Sequence, residues 1–207
     1  MLFCRLKTLV WLQAERSRLR VAAQYSVKSG LDKINVYYPH LLAEVEDAIL
    51  AINASQARVK LSEHKPEVGQ RLYDLVALNK AFQEEMRPKG WRYQSVDCEY
   101  PTTHYLEDYE IRSNLKGASR NIDFIKKGLG VEIQFGKPPL MICSISAKMT
   151  IFRNLGFINC GIEIVPVKAL ALEMSSGVSY FEQFVWDLES RGVADIDIPV
   201  LILGIDA

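Results

Sequence analysis

Residues 119–137 read SRNIDFIKKGLGVEIQFGK, and this stretch decides the fold. Two runs rich in Ile, Val and Phe, RNIDFIKK and VEIQF, flank Gly128-Leu129-Gly130. Glycine tolerates the positive φ of a tight reversal, so the stretch is predicted to be a β-hairpin turning at those three residues. Side chains alternate along a strand: Val131, Ile133 and Phe135 take one face, Glu132 and Gln134 the other, about 7 Å apart. If the strands pair antiparallel, Asp123 comes across the turn to Glu132, and two carboxylates and an amide share one rim. Such hard oxygen donors beside a backbone carbonyl suit Mg²⁺ better than zinc. A metal held that way can polarise a phosphodiester and lower the pKa of a water. The same alternation also describes a strand with one wet face and one dry face, and D-x₈-E-x-Q is a short match. The neighbourhood favours the first reading: Arg112, Lys116, Arg120, Lys126, Lys127 and Lys137 make a positive band suited to a phosphate backbone.

Outward from the hairpin, Pro138 and Pro139 break the strand, and Leu140 to Leu155 is predicted as a buried helix with Ile142, Ile145, Met149 and Phe152 on one face. CGIEIVPV is an apolar strand in which Glu163 is the odd residue; a buried carboxylate there needs a partner, as a structural acceptor or as part of a DNA cleft. Helix formers from Lys168 to Met174, a Ser175-Ser176-Gly177 connection, an aromatic helix SYFEQFVWDLESR and a closing strand PVLILGI follow. Upstream, KINVYYPH reads as a short strand or extended lead-in, with Pro39 at the first turn of a helix to Asn53 carrying Leu42, Val45, Ile49 and Ile52. Glu44 and Glu46 fall on its solvated side. Residues 56–70 read as a polar loop, 77–86 as a second helix with Leu78, Ala81 and Phe82 inward, and WRYQSVDCEY as a strand. The helix, hairpin, helix, strand, helix, strand order fits an α/β core built on a mixed sheet with helices on its faces.

At 207 residues the chain suffices for one domain with a full core. Its zero net formal charge argues against nonspecific coating of nucleic acid, while leaving room for a basic cleft on one face. Cys4, Cys98, Cys143 and Cys160 show neither CxxC spacing nor a histidine partner, so they read as reduced, mostly buried thiols of a cytoplasmic protein. No apolar run approaches a membrane span. Residues 1–20 carry Arg5, Lys7, Arg16, Arg18 and Arg20 against Glu15, with TLVWL too short for a secretory signal. They read as an N-terminal extension outside the core, with 21–207 a single domain. His104 has no partner at useful spacing, and no catalytic triad or Walker-type loop occurs.

At Asp123, Glu132 and Gln134 the chain resembles the PD-(D/E)xK nucleases, with Gln134 standing where that core usually has Lys. The adjoining EIQFGK is similar to type II restriction endonucleases of the BstYI and BglII kind. The resemblance runs from Val21 to the end, best in VALNKAF, DFIKKGLGVEIQFGK, GIEIVPVKALALEMSSGVSYFE and PVLILGI. It implies a restriction-endonuclease-like core and a homodimer that cuts both strands of a palindromic DNA duplex with Mg²⁺ and no small-molecule cofactor. Asp123, Glu132 and the carbonyl of Ile133 are implied as metal ligands, and Gln134 as the group orienting the attacking water. Lys137 and Ser176 are implied in base reading, with Ser175 and Gly177 shaping the loop; Lys126 and Lys127 either grip phosphate or are solvated turn lysines. The implied target is GATC-centred, of the purine-GATC-pyrimidine type, cut to leave 5′ overhangs. A repair nuclease selecting DNA structure, and a DNA-binding module without activity, are the other two classes weighed.

Overall fold

The computed structural model describes residues 18–62, 69–112, 117–136 and 142–207. The packed core reaches back to Leu19, which is fully buried. The first strand, β1 (Arg20–Val27), went unread in the sequence because RVAAQYSV is weakly apolar; it lies on a sheet edge and alternates exposed with half-buried positions. The expected extended lead-in is instead a helix, α1 (Gly30–Tyr37). Its β-branched and aromatic residues suggested a strand, yet Val36 and Tyr37 are exposed and, apart from Gly30, only Ile34 is buried. Gly30 is what lets the helix lie on the sheet: a Cβ there would stand 2.2 Å from the Val200 carbonyl oxygen.

Helix α2 (Pro39–Ala51) starts on Pro39 as expected and buries Leu41, Leu42, Val45, Ala48 and Ile49. Of the expected polar loop, the described residues include the end of a 3₁₀ turn over Ala54–Ala57 and the short strand β2 (Lys60–Leu61), which pairs with β3 (Arg71–Leu72). Helix α3 (Leu75–Met86) begins two residues earlier than expected, because the Asp74 carboxylate accepts from the Ala77 N–H at 2.8 Å and caps it. Strands β4 (Arg92–Asp97), β5 (Ser119–Lys126) and β6 (Leu129–Ile133) follow. Residues 142–154 form the expected covering helix with one π-helical turn, Ser144–Lys148, before α4 (Met149–Asn154); Ile145, Met149 and Phe152 are buried beneath it. The chain ends with β7 (Cys160–Pro166), α5 (Lys168–Leu172), α6 (Phe181–Arg191) and β8 (Val200–Asp206). Pro138 and Pro139 lie outside the described residues.

The sheet order is β1-β8-β7-β6-β5-β4. The β6-β7-β8 pairs are parallel and the others antiparallel, which makes the sheet mixed. Helices cover both faces: α1, α2 and α3 pack on one, with Phe82 and Trp91 against Val131, Ile133 and Ile164. Ile145, Met149, Phe152, Phe184 and Leu188 pack on the other, against Val165 and Ile202. Strands covered on both faces lose their wet side, and every residue of β6 and β7 is buried. Among the described residues no helix is long and apolar enough to cross a membrane. Of the thiols, Cys160 is buried as expected, but Cys143 is exposed and Cys98 half-buried.

The hairpin forms where expected, but its turn is displaced. Lys126 pairs with Leu129, leaving Lys127 (φ 48°) and Gly128 (φ 86°) as a two-residue reversal. Gly130 belongs to the strand. The other departure is a bulge: from Arg92 to Gln94 β4 advances two residues, while its partners run from Ile125 to Ile122, three residues on β5. Ile122 and Phe124 consequently pack on opposite faces of the sheet. The bulge falls on Asp123, whose side chain it re-aims.

Replacing Gly30 with Ala drives a methyl group into the backbone of β8. Urea denaturation of this variant is expected to show a loss on the order of 3 kcal/mol, the upper end of overpacking costs.

Candidate active site

Antiparallel pairing of β5 with β6 runs from Lys126/Leu129 to Phe124/Val131 and ends there. Beyond that point the side chains take over the backbone's hydrogen bonds. The Asp123 N–H donates to Glu132 Oε1 at 3.1 Å, and the Ile133 N–H donates to Asp123 Oδ2 at 2.9 Å. The two carboxylates thus meet in the gap where the strands part, as the sequence led one to expect. Gln134 continues along the far edge, its N–H donating to the Ile164 carbonyl at 2.8 Å. In an extended strand a residue's N–H and C=O leave the same edge, so the Ile133 carbonyl is directed to the Asp123 side. A cavity of about 140 Å³ opens beside Asp123, lined by Asn79, Gln83, Arg87 and Tyr93.

The expected wet face of β6 is absent: Glu132 is only 3% exposed. The cover comes from the π-helical turn, whose Lys148 Nζ lies 2.5 Å from Glu132 Oε2. Glu163, opposite Glu132 on β7, has no exposed surface and so lies behind the site, not in an open cleft. Its Oε2 accepts from Ser144 Oγ at 3.1 Å, and its Oε1 has no partner among the described residues.

With this geometry in view, comparison with known proteins is decisive. Residues 22–205 match the model of the restriction endonuclease BglII/BglIII family. The chain belongs to that family. It is 23% identical over 171 residues to the type II restriction enzyme BglII of Bacillus subtilis, covering 81% of this chain and 69% of that one. The fold resembles restriction endonuclease BglII complexed with a DNA 16-mer, with a TM-score of 0.64 and 21% identity over 90% of this chain and 75% of the other. It also resembles free BglII, with a TM-score of 0.55 and 16% identity over 90% of this chain and 78% of the other. The protein is therefore a type II restriction endonuclease of the BglII kind, a site-specific deoxyribonuclease.

In this restriction endonuclease the two acids sit in a costly place. Burial, reinforced by the Asp123 charge and partly offset by Lys148, raises Glu132 to about 7. Burial likewise pushes Asp123 up, against the Ile133 N–H and the Lys148 charge. Glu163 is raised well above the usual carboxylate range by burial and by the Glu132 charge. Among the described residues no three His, Cys, Asp or Glu side chains are arranged around a common metal position. The donor set on offer is two carboxylates and a carbonyl. Restriction endonucleases generally work with a divalent metal ion, and a desolvated acid pair of hard oxygens suits one.

The other anticipated residues divide. Lys126 and Lys127 lie at the turn, three and four residues along the strand from Asp123, roughly 10 and 13 Å away. Lys126 Nζ is spent inside the protein, on Glu44 Oε2 at 2.6 Å and the Lys89 carbonyl at 2.6 Å, above the Trp91 ring. Glu44, expected on a solvated face, also accepts from Trp91 Nε1 at 2.9 Å; burial opposes its charge, but these two partners hold its carboxyl below the usual range. Ser175 accepts from Lys60 Nζ at 2.6 Å, and Ser176 is exposed. Both line an open cavity of about 550 Å³ with Leu61 and Tyr180. Lys137 and Lys116 lie outside the described residues. Lys148 is the cation that sequence reading missed. It sits in a run expected to be buried helix, and only the register of the π-helical turn shows where it points.

In metal-free protein the raised Glu132 has a definite sign. Between the usual carboxylate range and pH 7 the folded state holds a proton that the unfolded state has lost, so stability falls as pH rises through that window. In EDTA, Tm is expected to drop from pH 5 to pH 7.5 in differential scanning calorimetry, and Mg²⁺ to raise it more at pH 7.5 than at pH 5.

Proposed function

We propose that the chain is a Mg²⁺-dependent, homodimeric restriction endonuclease that cuts double-stranded DNA at a GATC-centred palindrome of the purine-GATC-pyrimidine type, leaving 5′ overhangs. The observation that carries this reading is the meeting of Asp123 and Glu132 in the gap between β5 and β6, hydrogen-bonded to each other's strands. The single catalytic domain is read as opening at Leu19 and Arg20, not at residue 21 as expected, since Leu19 is buried in its core and Arg20 begins β1; the residues before them are read as an extension. The free cysteines favour a cytoplasmic setting.

Asp123, Glu132 and the Ile133 carbonyl would hold the metal. When bound, Mg²⁺ there supplies polarisation of the scissile phosphodiester and acidifies a nearby water. The Gln134 amide, next along the strand, orients that water for in-line attack by hydrogen bonding. Being neutral, it contributes no charge to offset what develops on the phosphate. Lys137, Ser175 and Ser176 are read as the base-contacting groups, since Lys and Ser both match donor and acceptor patterns in the major groove. Lys127 at the turn is left as a phosphate contact; Lys126 would have to leave Glu44 to act as one.

The test is digestion of unmethylated plasmid with Mg²⁺ and with EDTA, followed by sequencing of the ends. Fixed ends within a GATC-centred palindrome, in Mg²⁺ alone, are expected. Random ends, or cutting of branched DNA without sequence preference, would favour a repair-type nuclease, and absence of cutting at any salt would leave only a binding module. Asp123→Asn is expected to lower cleavage at least about 1,000-fold while DNA affinity in Ca²⁺ is held or tightened, because a metal ligand is lost and no phosphate contact is.

A further inference from the structure

Ser144 and Lys148 stand four residues apart in the helical turn that covers the second face of the sheet. Beneath them Glu132 and Glu163 occupy matched positions on neighbouring strands, roughly 5 Å apart. The two pairs are stacked, Ser144 on Glu163 and Lys148 on Glu132. If this network served only to neutralise buried charge, the ammonium would belong on Glu163, which is fully enclosed and has an oxygen without a partner among the described residues. It lies instead on the carboxylate at the reaction site, with a quarter of its side chain exposed.

Of the Glu132 oxygens, Oε1 is tied to the Asp123 N–H, while Oε2 is the one that Lys148 touches. A dication drawn to the acid pair competes with the ammonium for Oε2, and like charges repel. The lysine's flexible four-carbon stem lets its head turn from Glu132 toward another anion brought to the acid pair, such as a phosphate. Resting on the reading of Asp123 and Glu132 as metal ligands, we propose that Lys148 is a further catalytic residue. Its ammonium, held on Glu132 in the free protein, donates to a non-bridging oxygen of the scissile phosphate and supplies the charge that Gln134 lacks.

Wild type, Lys148→Met and Lys148→Arg are compared on a plasmid whose cut site has been mapped, under single-turnover conditions at saturating protein and Mg²⁺. Lys148→Met is expected to cleave about 100-fold more slowly with DNA affinity in Ca²⁺ changed less than roughly threefold, the loss typical of one transition-state donor. Lys148→Arg should recover part of the rate. In DNA-free protein the Mg²⁺-induced rise in Tm should persist in Lys148→Met, because the ammonium no longer contests Glu132. A Lys148→Met rate within roughly threefold of wild type overturns the proposal. So does loss of the Mg²⁺-induced rise in Tm, which would make the lysine only a holder of Glu132. If Lys148→Met does not fold, Glu163→Gln/Lys148→Met measured against Glu163→Gln carries the same test with the same thresholds. Failure of the wild type itself to cut would instead remove the reading of the acid pair.

Discussion

The site depends on one event in the sheet: β5 and β6 separate after Phe124 and Val131. Parting strands leave backbone donors without partners, and a buried N–H left unpaired is costly. Here the orphaned N–H groups of Asp123 and Ile133 are taken up by Glu132 and Asp123. The acids are therefore held by the main chain on which they stand. The bulge at Asp123 makes this possible: strict alternation would put Ile122 and Phe124 on one face and Asp123 on the other, whereas the two apolar residues pack on opposite faces with Asp123 between them. The acid pair and the fold share the same hydrogen bonds. A carboxylate placed by a backbone donor has little rotamer freedom left to lose when a ligand binds.

Placing acids there works against the rest of the packing. The second face of the sheet is a core of Ile145, Met149, Phe152, Val165 and Ile202, into which Glu132 and Glu163 project. Their raised proton affinities express that conflict. A chain selected for stability alone would carry apolar residues at both positions, as it does at Val131, Ile133, Ile162 and Ile164. Local rules tend to be broken at functional sites, and the breach here coincides with a π-helical turn. That turn sets Ser144 and Lys148 above the two acids.

The parts of this arrangement legible in the sequence were those that obey a short period. Alternation in VEIQF separated Val131, Ile133 and Phe135 from Glu132 correctly, and helical spacing found α2, α3 and the covering helix. What escaped depended on tertiary fit. KINVYY looks β-prone but is helical, because Gly30 lets the segment dock on β8 and Ile34 alone fills the core. RVAAQYSV is a strand because the edge of the sheet was open to it. The turn moved to Lys127-Gly128 because Gly130 is needed in the strand, where a Cβ would meet Ile122 at 2.7 Å. One member of the expected basic band is engaged elsewhere in three dimensions. Lys126 answers to Glu44, eighty-two positions away, and among the described residues the ammonium on Glu132 is that of Lys148, from beyond the hairpin.

Among the described residues, the loop carrying Ser175 and Ser176 is tied to the chain just beyond β6 by the buried Ser179. Ser179 has no exposed surface, and it donates to the Gly136 carbonyl twice, from its N–H at 3.0 Å and its Oγ at 2.9 Å. Gly136 lies two residues beyond Gln134, so whatever displaces the loop pulls on the end of β6. On its other side the same loop is pinned by Lys60 to the β2–β3 ladder, and that ladder is held to Glu173 by an Arg58 ion pair and by the Tyr73 N–H at 2.8 Å. Ser176 therefore stands three residues from the pair of short hydrogen bonds that Ser179 makes to Gly136. The chain at Gly136 must then satisfy the loop and the strand at once, which leaves the geometry of Gln134 dependent on how the loop is seated.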